Sequence, residues 1–319
     1  MNIRIAAILV LSACGSFPLA GQTLPIVYGQ TASLKVDCSH KSPWTYPTIN
    51  AALKKLNPQG PNTVTVSGTC NDNVLIQGFD RLTLISTTGA IINDASSGGS
   101  FVVEIEDSRS ATVQGFTVNG GLDGLVCGSA SVCYFTGNTV QAAVGQEGVA
   151  VSNGSIAYLT NNVIQKNAQR GLTVNEGSQV FSTTDTFQSN GDSGVVANSG
   201  AYFSGGNSII ENNANDGVVA TDHSTLRLIS CIVSGNIGNG VTVQRGSDAR
   251  FDSYSGPVTV IANSGSGVLV RDLSFGFFGP GGNITGNLGG TDVVCAPQFP
   301  ATRGALTHVG GGITNCVEP

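Results

Sequence analysis

The stretch RGLTVNEGSQVFSTTDTFQSN, from Arg170 to Asn190, recurs along the chain with only a few positions kept. Most copies keep a Gly, an apolar residue directly after it, a Ser seven positions on and an Asn nineteen positions on. The repeated Gly residues are Gly124, Gly148, Gly171, Gly194, Gly217, Gly240 and Gly267. They lie 24, 23, 23, 23, 23 and 27 residues apart, and Phe101 takes the same position one interval before Gly124. A fixed period of this length is typical of a solenoid, in which each repeat stacks on the next.

Three short runs of alternating apolar and polar residues fill each repeat. In the quoted copy these runs contain Leu172, Val180 and Phe187. Alternation over about four residues predicts β-strands in which every second side chain points inward. Three strands per repeat, joined by turns too short for a helix, predict an all-β fold, a parallel β-helix with three sheets. We expect about nine rungs of about 23 residues, spaced about 4.8 Å apart.

Two polar columns support the stacking. One is a column of Ser positions that includes Ser155 and Ser178, and the other is a column of Asn positions that includes Asn167 and Asn190. Identical polar side chains on successive rungs can hydrogen-bond along the stack, as amide ladders do in cross-β structures. Such ladders satisfy turn amides that burial would otherwise leave unpaired. The kept residues are therefore predicted to hold the coil, and the variable ones to face outward.

The segments YPTINAALKKL (46–56) and NTVTVSGTCNDNVLI (62–76), followed by these repeats, resemble right-handed parallel β-helix proteins of the pectin-lyase-like superfamily, especially exported bacterial members. The resemblance implies a short helix that closes the N-terminal end of the coil, around residues 44–60. Thr48 could cap this helix, and an uncapped sheet end would invite aggregation. A closing segment is expected around residues 291–319.

The first residues predict export. Residues 1–21 contain one basic residue followed by a short apolar run, too short to span a bilayer, which is typical of a signal peptide. The mature chain, residues 22–319, is then a single β-helix domain without a transmembrane segment. Leu11 to Cys14 also resembles a bacterial lipoprotein box, so an outer-membrane lipoprotein is the alternative to a secreted or periplasmic protein. The net charge of −6 argues against nucleic-acid binding.

The chain has eight cysteines. Without Cys14 the mature chain keeps seven, so at least one thiol stays unpaired or bonds elsewhere. Two disulfides are expected in an exported protein: Cys38 with Cys70 near one end, and Cys295 with Cys316 at the other. The remaining three, Cys127, Cys133 and Cys231, are interpreted as small buried thiols rather than metal ligands.

Enzymes of the superfamily that this chain resembles carry specific catalytic motifs. Pectate lyases use clustered Asp residues to bind Ca²⁺, polygalacturonases carry Asp-Asp and Gly-His-Gly, and alginate epimerases carry Asp-Pro-His-Asp. The chain has no Asp-Asp, Gly-His-Gly or Asp-Pro-His-Asp. The catalytic candidates are therefore Asp123, Glu147 and Arg170, which precede the Gly on successive rungs and would place the two carboxylates about 5 Å apart. The competing interpretation is a surface ion pair, with no metal site.

Two outward columns are candidate binding surfaces. Tyr134, Tyr158, Phe181 and Tyr202 would form an aromatic ledge on the second strand, either for sugar rings or for sheet packing alone. The first strand would expose an apolar stripe, which suggests a protein partner, a second copy of the chain or a covering C-terminal segment; its members are Val126, Ala150, Thr173, Val196, Val219, Thr242 and Leu269.

The sequence thus favours an exported β-helix protein that engages polysaccharide, or another surface partner, along its long faces. The alternative is a divergent polysaccharide lyase or glycoside hydrolase acting on an acidic polysaccharide. No cofactor is expected, and only a lyase could use Ca²⁺. An enzyme requires titratable groups that converge in a groove, whereas a binding protein requires only a complementary surface.

Overall fold

A computed structural model gives the three-dimensional structure of part of the chain: residues 31–39, 43–253, 256–296, 301–303 and 316, with the backbone alone for residues 301–303. The predicted export signal, including Cys14, lies outside this part. Most of the predicted closing segment, residues 297–300, 304–315 and 317–319, also lies outside it.

The described strands form three parallel sheets of about ten turns, and each complete rung contributes one strand to each sheet, while sheet 2 has an additional strand at each end. Sheet 1 has ten strands: Val74–Gln77, Val103–Glu106, Leu125–Cys127, Val149–Val151, Leu172–Val174, Val195–Ala197, Val218–Ala220, Val241–Val243, Val268–Val270 and Val293–Cys295. Sheet 2 has twelve: Ala32–Asp37, Pro61–Ser67, Arg81–Ser86, Ala111–Gln114, Val132–Thr136, Ile156–Thr160, Gln179–Thr183, Tyr202–Gly206, Thr225–Ile229, Asp248–Asp252, Phe275–Phe278 and Ala301–Arg303. Sheet 3 has ten: Thr69–Asn71, Ile91–Asn93, Thr117–Asn119, Thr139–Gln141, Val163–Gln165, Thr186–Gln188, Ile209–Glu211, Ile232–Ser234, Thr259–Ile261 and Asn283–Ile284.

This architecture confirms the predicted parallel β-helix with three sheets. The number of turns is about ten rather than the predicted nine. Unmarked rungs lie at both ends, where strands Val74–Gln77 and Val293–Cys295 lack the Gly that marks the other repeats. The periodicity of the Gly positions therefore could not reveal them.

The repeated Gly has a steric cause. At Gly171, an added Cβ would lie 2.6 Å from the carbonyl oxygen of Gly194 and 2.8 Å from Nδ2 of Asn190. Because real Cβ atoms do not approach other atoms this closely, the backbone could not keep its position with any larger residue. The Gly thus allows one rung to pass over the Asn ladder of the next.

The polar columns form the predicted ladders. The backbone N–H of Ser155 donates to Oγ of Ser178 at 3.1 Å, and the same bond recurs along the Ser column. In the Asn column, Asn190 accepts from the backbone N–H and from Nδ2 of Asn167 at 3.2 and 3.0 Å. Nδ2 of Asn190 donates to Oδ1 of Asn213 at 3.0 Å. Asn190 is only 1% exposed, so this ladder lies inside the coil.

A short helix, Ile49–Leu53, lies at the N-terminal end, as the resemblance implies. Oγ1 of Thr48 accepts a hydrogen bond from the backbone N–H of Ala51 at 3.1 Å. The side chains of Ile49, Leu53 and Leu56 are buried against the end of the core. The helix therefore covers apolar surface that the first rung would otherwise expose.

Three disulfides occur in the described part. Cys38 pairs with Cys70, and Cys295 pairs with Cys316, which are the two expected pairs. Disulfides persist in oxidising compartments, which agrees with an exported protein. In the same described part, no helix is long and apolar enough to cross a membrane.

The interpretation of Cys127 and Cys133 as free thiols was wrong, because they form the third disulfide. Their Cα atoms are 6.2 Å apart, since their inward side chains come from consecutive strands of one rung and meet at a corner of the coil. Cys231 is the buried free thiol among the described residues.

Candidate functional site

A groove of about 450 Å³ runs along the outer face of sheet 1. The middle residues of the sheet 1 strands form one row along the sheet, which we call the floor row, and four of them, Val196, Val219, Thr242 and Leu269, form the floor of the groove. One wall consists mainly of the turn residues before the repeated Gly, which we call the turn row. The lining residues are Arg170, Asp192, Ser193, Val196, Asn215, Asp216, Val219, Thr221, Asn239, Thr242, Gln244, Leu269 and Arg271.

The floor row corresponds to the stripe that the sequence predicts to be exposed, and that prediction was wrong for most of it. Val126 and Val196 are each 7% exposed, Thr242 is 3% exposed and Thr173 is 2% exposed. These four side chains are buried, and the hydroxyls of Thr173 and Thr242 donate to carboxylates of the turn row. Four of the seven residues of the predicted stripe are therefore buried, and Val196, Val219, Thr242 and Leu269 form the bottom of the groove.

Asp216 is the central carboxylate of the turn row within the groove. Its Oδ1 accepts from the backbone N–H of Asn239, on the next rung, at 2.6 Å. Its Oδ2 accepts from Oγ1 of Thr242, in the floor row, at 2.7 Å. Nδ2 of Asn239 also donates to Oγ1 of Thr242, at 3.2 Å. The carboxylate is therefore held in a fixed orientation by neutral donors from the rung above it.

Arg170 lies at the N-terminal end of the groove. Its Nη1 is 3.3 Å from Oε1 of Glu147, and its Nε is 3.3 Å from Oδ2 of Asp192. Asp192 also accepts from Nδ2 of Asn215 at 2.8 Å. The guanidinium is thus shared between two carboxylates, of which Glu147 is buried. The predicted ion pair is present, but its acidic partner is less exposed than a surface pair would be.

Asp123 and Glu147 lie beyond Arg170, outside the groove lining. Both are buried, at 4% and 7% exposure. The backbone N–H of Glu147 donates to Oδ1 of Asp123 at 2.7 Å, and Oγ1 of Thr173 donates to Oε1 of Glu147 at 3.0 Å. The three predicted catalytic residues therefore do come together, with the two carboxylates enclosed rather than facing the open groove.

Burial raises the pKa of Asp123 to about 7, and the adjacent charge of Glu147 acts in the same direction. The hydrogen bond from the backbone of Glu147 stabilises the ionised form of Asp123 and offsets part of this rise in pKa. Asp123 is thus a buried carboxyl that takes up or releases its proton close to neutral pH.

A long turn borders this acidic pair. The turn between strands Ile91–Asn93 and Val103–Glu106 spans residues 94–102, and the carbonyl of Ser100 accepts from the backbone N–H of Leu122. Asp94 organises the turn by accepting from the backbone N–H and Oγ of Ser96 at 2.8 and 2.5 Å. Partial burial opposes ionisation of Asp94, but its hydrogen bonds outweigh this effect and lower its pKa to about 2.

The C-terminal end of the groove contains Arg271. Its guanidinium donates to Oε1 of Gln244, with an Nε to Oε1 distance of 2.9 Å, and its Nε lies 3.6 Å from Oδ2 of Asp272. Gln244 in turn reaches Oγ1 of Thr221 at 3.5 Å. Polar side chains at this end therefore form a continuous row opposite the turn row.

The aromatic side chains form one row on sheet 2, as predicted. The ring centroids of Tyr134 and Tyr158 are 5.1 Å apart at 11°, those of Tyr158 and Phe181 are 5.3 Å apart at 16°, and those of Phe181 and Tyr202 are 5.7 Å apart at 55°. Nearly parallel rings this close are stacked on one another, because coplanar rings side by side would collide. Their faces thus contact neighbouring rings, and mainly ring edges point outward.

Sheet 3 carries a further outward row of amides. Nε2 of Gln188 donates to Gln165 at 2.8 Å, and Nε2 of Gln165 donates to Gln141 at 3.0 Å. Asn119 and Asn93 continue the row with a 3.2 Å bond. Most donors and acceptors along this row therefore satisfy one another.

Among the described residues, no three His, Cys, Asp or Glu side chains are grouped as a metal site. Sequence reasoning placed Asp216 in the same column as Asp123 but did not single it out. It also missed Thr242 as a donor, because an outward Thr on a strand carries no sign of what it contacts. The groove exists because the side chains of the turn row rise further above sheet 1 than those of the floor row. A repeat pattern in the sequence does not show this difference.

The comparison with protein-family models agrees with the fold. Residues 101–254 match the family model described as a right handed beta helix region, which confirms the predicted right-handed parallel β-helix. No protein of curated function matches the chain in sequence.

Solved structures with a similar fold include pectate lyase Pel9A, at 13% identity and a TM-score of 0.48 over 88% of this chain and 80% of that one. The periplasmic alginate epimerase AlgG has 13% identity and a TM-score of 0.48 over 81% and 82% of the two chains. The GH136 lacto-N-biosidase from Eubacterium ramulus has 9% identity and a TM-score of 0.35 over 90% and 67%.

Proposed function

We propose that the protein binds a polysaccharide chain in the groove on sheet 1. The observation that carries this proposal is the lining itself, a floor of three apolar residues and one Thr with a row of hydrogen-bonding side chains along each side. A sugar chain presents the same combination, with C–H groups on the faces of its rings and hydroxyls at their edges. The rungs repeat about every 4.8 Å, which is comparable with the length of one sugar residue.

The groove supports this role better than the aromatic row does. Sugar rings stack on aromatic faces, whereas the faces of Tyr158 are turned towards Tyr134 and Phe181. The polar side chains of the groove are also held in place by hydrogen bonds before any ligand arrives, and such preorganisation reduces the entropy lost on binding.

The test is a pair of variants compared for binding to a polysaccharide panel by affinity electrophoresis. Val219→Tyr places a large side chain on the half-buried floor and should reduce binding at least tenfold. Tyr158→Ala removes a ring from the aromatic row and should leave binding unchanged. Loss of binding in Tyr158→Ala but not in Val219→Tyr would move the site to the aromatic row. Thermal melting of both variants excludes unfolding as the cause.

A second candidate is a divergent polysaccharide lyase or hydrolase, and one observation favours it. Asp123 has a pKa raised to about 7 and lies beside Glu147, which in turn pairs with Arg170, an arrangement suited to proton transfer. The test follows new unsaturated bonds and new reducing ends, with and without Ca²⁺. Cleavage that Arg170→Ala and Asp123→Asn both abolish would establish this function, and binding without cleavage would exclude it.

We propose soluble secretion after removal of residues 1–21, with lipidation of Cys14 as the alternative. The N-terminal mass of the mature protein separates the two. A chain that begins at Gln22 supports secretion, and a diacylglyceryl group on Cys14 overturns it.

A further inference from the structure

The charges around the groove do not favour an anionic ligand. Its two guanidiniums, Arg170 and Arg271, are already next to carboxylates: Arg170 contacts Glu147 and Asp192, and Arg271 contacts Asp272. Asp216 adds a further carboxylate in the lining. These six groups sum to a charge of −2, from two cations and four anions. A uronate in the groove would therefore meet more negative than positive charge.

Asp216 has spare capacity for hydroxyl donors. Its two hydrogen bonds come from the backbone N–H of Asn239 and Oγ1 of Thr242, one to each carboxylate oxygen. A carboxylate offers about four lone-pair sites, so about two remain on the groove side. A hydrogen bond from a hydroxyl to a carboxylate is roughly twice as strong as one between neutral groups. Asp216 is thus suited to a neutral ligand rich in hydroxyls.

The net charge of the whole chain also disfavours an anionic ligand. With a net charge of −6, the protein repels a polyanion at long range and slows its approach, whereas a neutral chain is unaffected. The floor residues Val196, Val219 and Leu269 provide apolar contact to the uncharged faces of sugar rings.

We propose that the groove selects a neutral polysaccharide over a polyuronate, and that Asp216 is the residue that receives its hydroxyl groups. This inference rests on the proposed binding of a polysaccharide in the groove. It assigns to Asp216 a role in specificity as well as in affinity.

The test uses the mature protein against two sets of probes. The neutral set contains laminarin, galactomannan, cello-oligosaccharides and soluble starch, and the acidic set contains polygalacturonate and alginate. Binding is measured by affinity electrophoresis and calorimetry at about 20 mM and about 300 mM salt, because salt screens charge repulsion. We expect binding to a neutral probe with little dependence on salt, and weaker or no binding to both polyuronates.

Asp216→Asn keeps the size of the side chain and an acceptor oxygen but removes the charge. It should weaken binding of the neutral probe about tenfold and should not weaken binding of polygalacturonate. The matched control is Asp248→Asn, which removes an exposed aspartate on sheet 2. This control should leave both affinities unchanged.

Each other outcome overturns a specific part of the proposal. Tighter binding of a polyuronate that Val219→Tyr abolishes would keep the groove and overturn the neutral substrate class. Neutral binding that Asp216→Asn leaves intact would overturn the role of Asp216. No binding to either set would overturn the proposed function itself.

Discussion

Asp123 and Asp216 occupy the same position in two repeats four rungs apart, and their local geometry is nearly the same. In each case Oδ1 accepts the backbone N–H of the equivalent residue on the next rung, Glu147 at 2.7 Å or Asn239 at 2.6 Å. A floor-row Thr, Thr242, also donates to Asp216 itself, whereas Thr173 donates to Glu147 rather than to Asp123. Yet Asp123 is buried, whereas Asp216 lines the groove.

The difference comes from the neighbours rather than from the repeat. The residue after Asp123 in the turn row is another acid, and the residue after Asp216 is a neutral amide. The turn spanning residues 94–102 also packs beside Leu122, whereas the turns spanning residues 189–194 and 212–217 are shorter. One backbone arrangement therefore produces a buried acid with a raised pKa in one place and an accessible acceptor in another.

The largest predicted effect concerns the pH dependence of stability. The pKa of Asp123 is raised in the folded state from an ordinary value of 3.8 to about 7, so the folded state binds the proton more tightly than the unfolded state. Stability should then fall as pH rises from about 4 to about 7, by up to about 4 kcal/mol. Asp123→Asn should remove most of this slope in chemical denaturation measured from pH 4 to pH 8.

Asp216→Asn is the control for that measurement, since it removes a carboxylate from the same position in another repeat. It should retain the slope that belongs to Asp123. If the unfolding free energy of Asp123→Asn still falls with pH as in the unmodified protein, the raised pKa of Asp123 is contradicted. That result would also remove the observation that favours the catalytic candidate.

The second effect tests the scaffold that holds both aspartates in register. Asn190 lies on a rung between them, and its side chain makes four hydrogen bonds inside the coil. Asn190→Leu leaves these partners unpaired and should cost about 3 kcal/mol of unfolding free energy. Gln188→Leu, in the outward amide row, is the control and should cost less than about 1 kcal/mol. Equal costs would show that the interior ladder has no special importance.

The third effect distinguishes the two Thr donors. Thr173→Val removes the hydroxyl that donates to Glu147, and Thr242→Val removes the one that donates to Asp216. Both hydroxyls are buried, so each change should lower stability by about 1–2 kcal/mol. Only Thr242→Val should also weaken polysaccharide binding, measured by affinity electrophoresis. Equal losses of binding would indicate that the ligand extends as far as Thr173.

The repeat allowed the architecture to be predicted, because spacing alone decides which side chains point inward and which stack. The ladders through Ser178 and Asn190 followed from that spacing, whereas the helix capped by Thr48 was implied by the family resemblance. The groove did not follow, since its depth depends on how far neighbouring side chains rise above the sheet. The disulfide between Cys127 and Cys133 was missed for a related reason, because the angle at the corner of a rung brings two inward positions together.

The smallest effect lies in the turn beside Asp123. Hydrogen bonds from Ser96 and its neighbours lower the pKa of Asp94 to about 2, so the folded state binds its proton less tightly than the unfolded state. The resulting stability is present above about pH 4 and is lost as pH falls towards 2, which is the opposite direction from Asp123. Because solvent screens this carboxylate, we expect only about 1 kcal/mol. Asp94→Asn should reduce the loss of unfolding free energy below pH 4, measured by chemical denaturation, and should leave the slope between pH 4 and pH 7 intact. A change in the slope between pH 4 and pH 7 instead would mean that the turn controls the proton on Asp123.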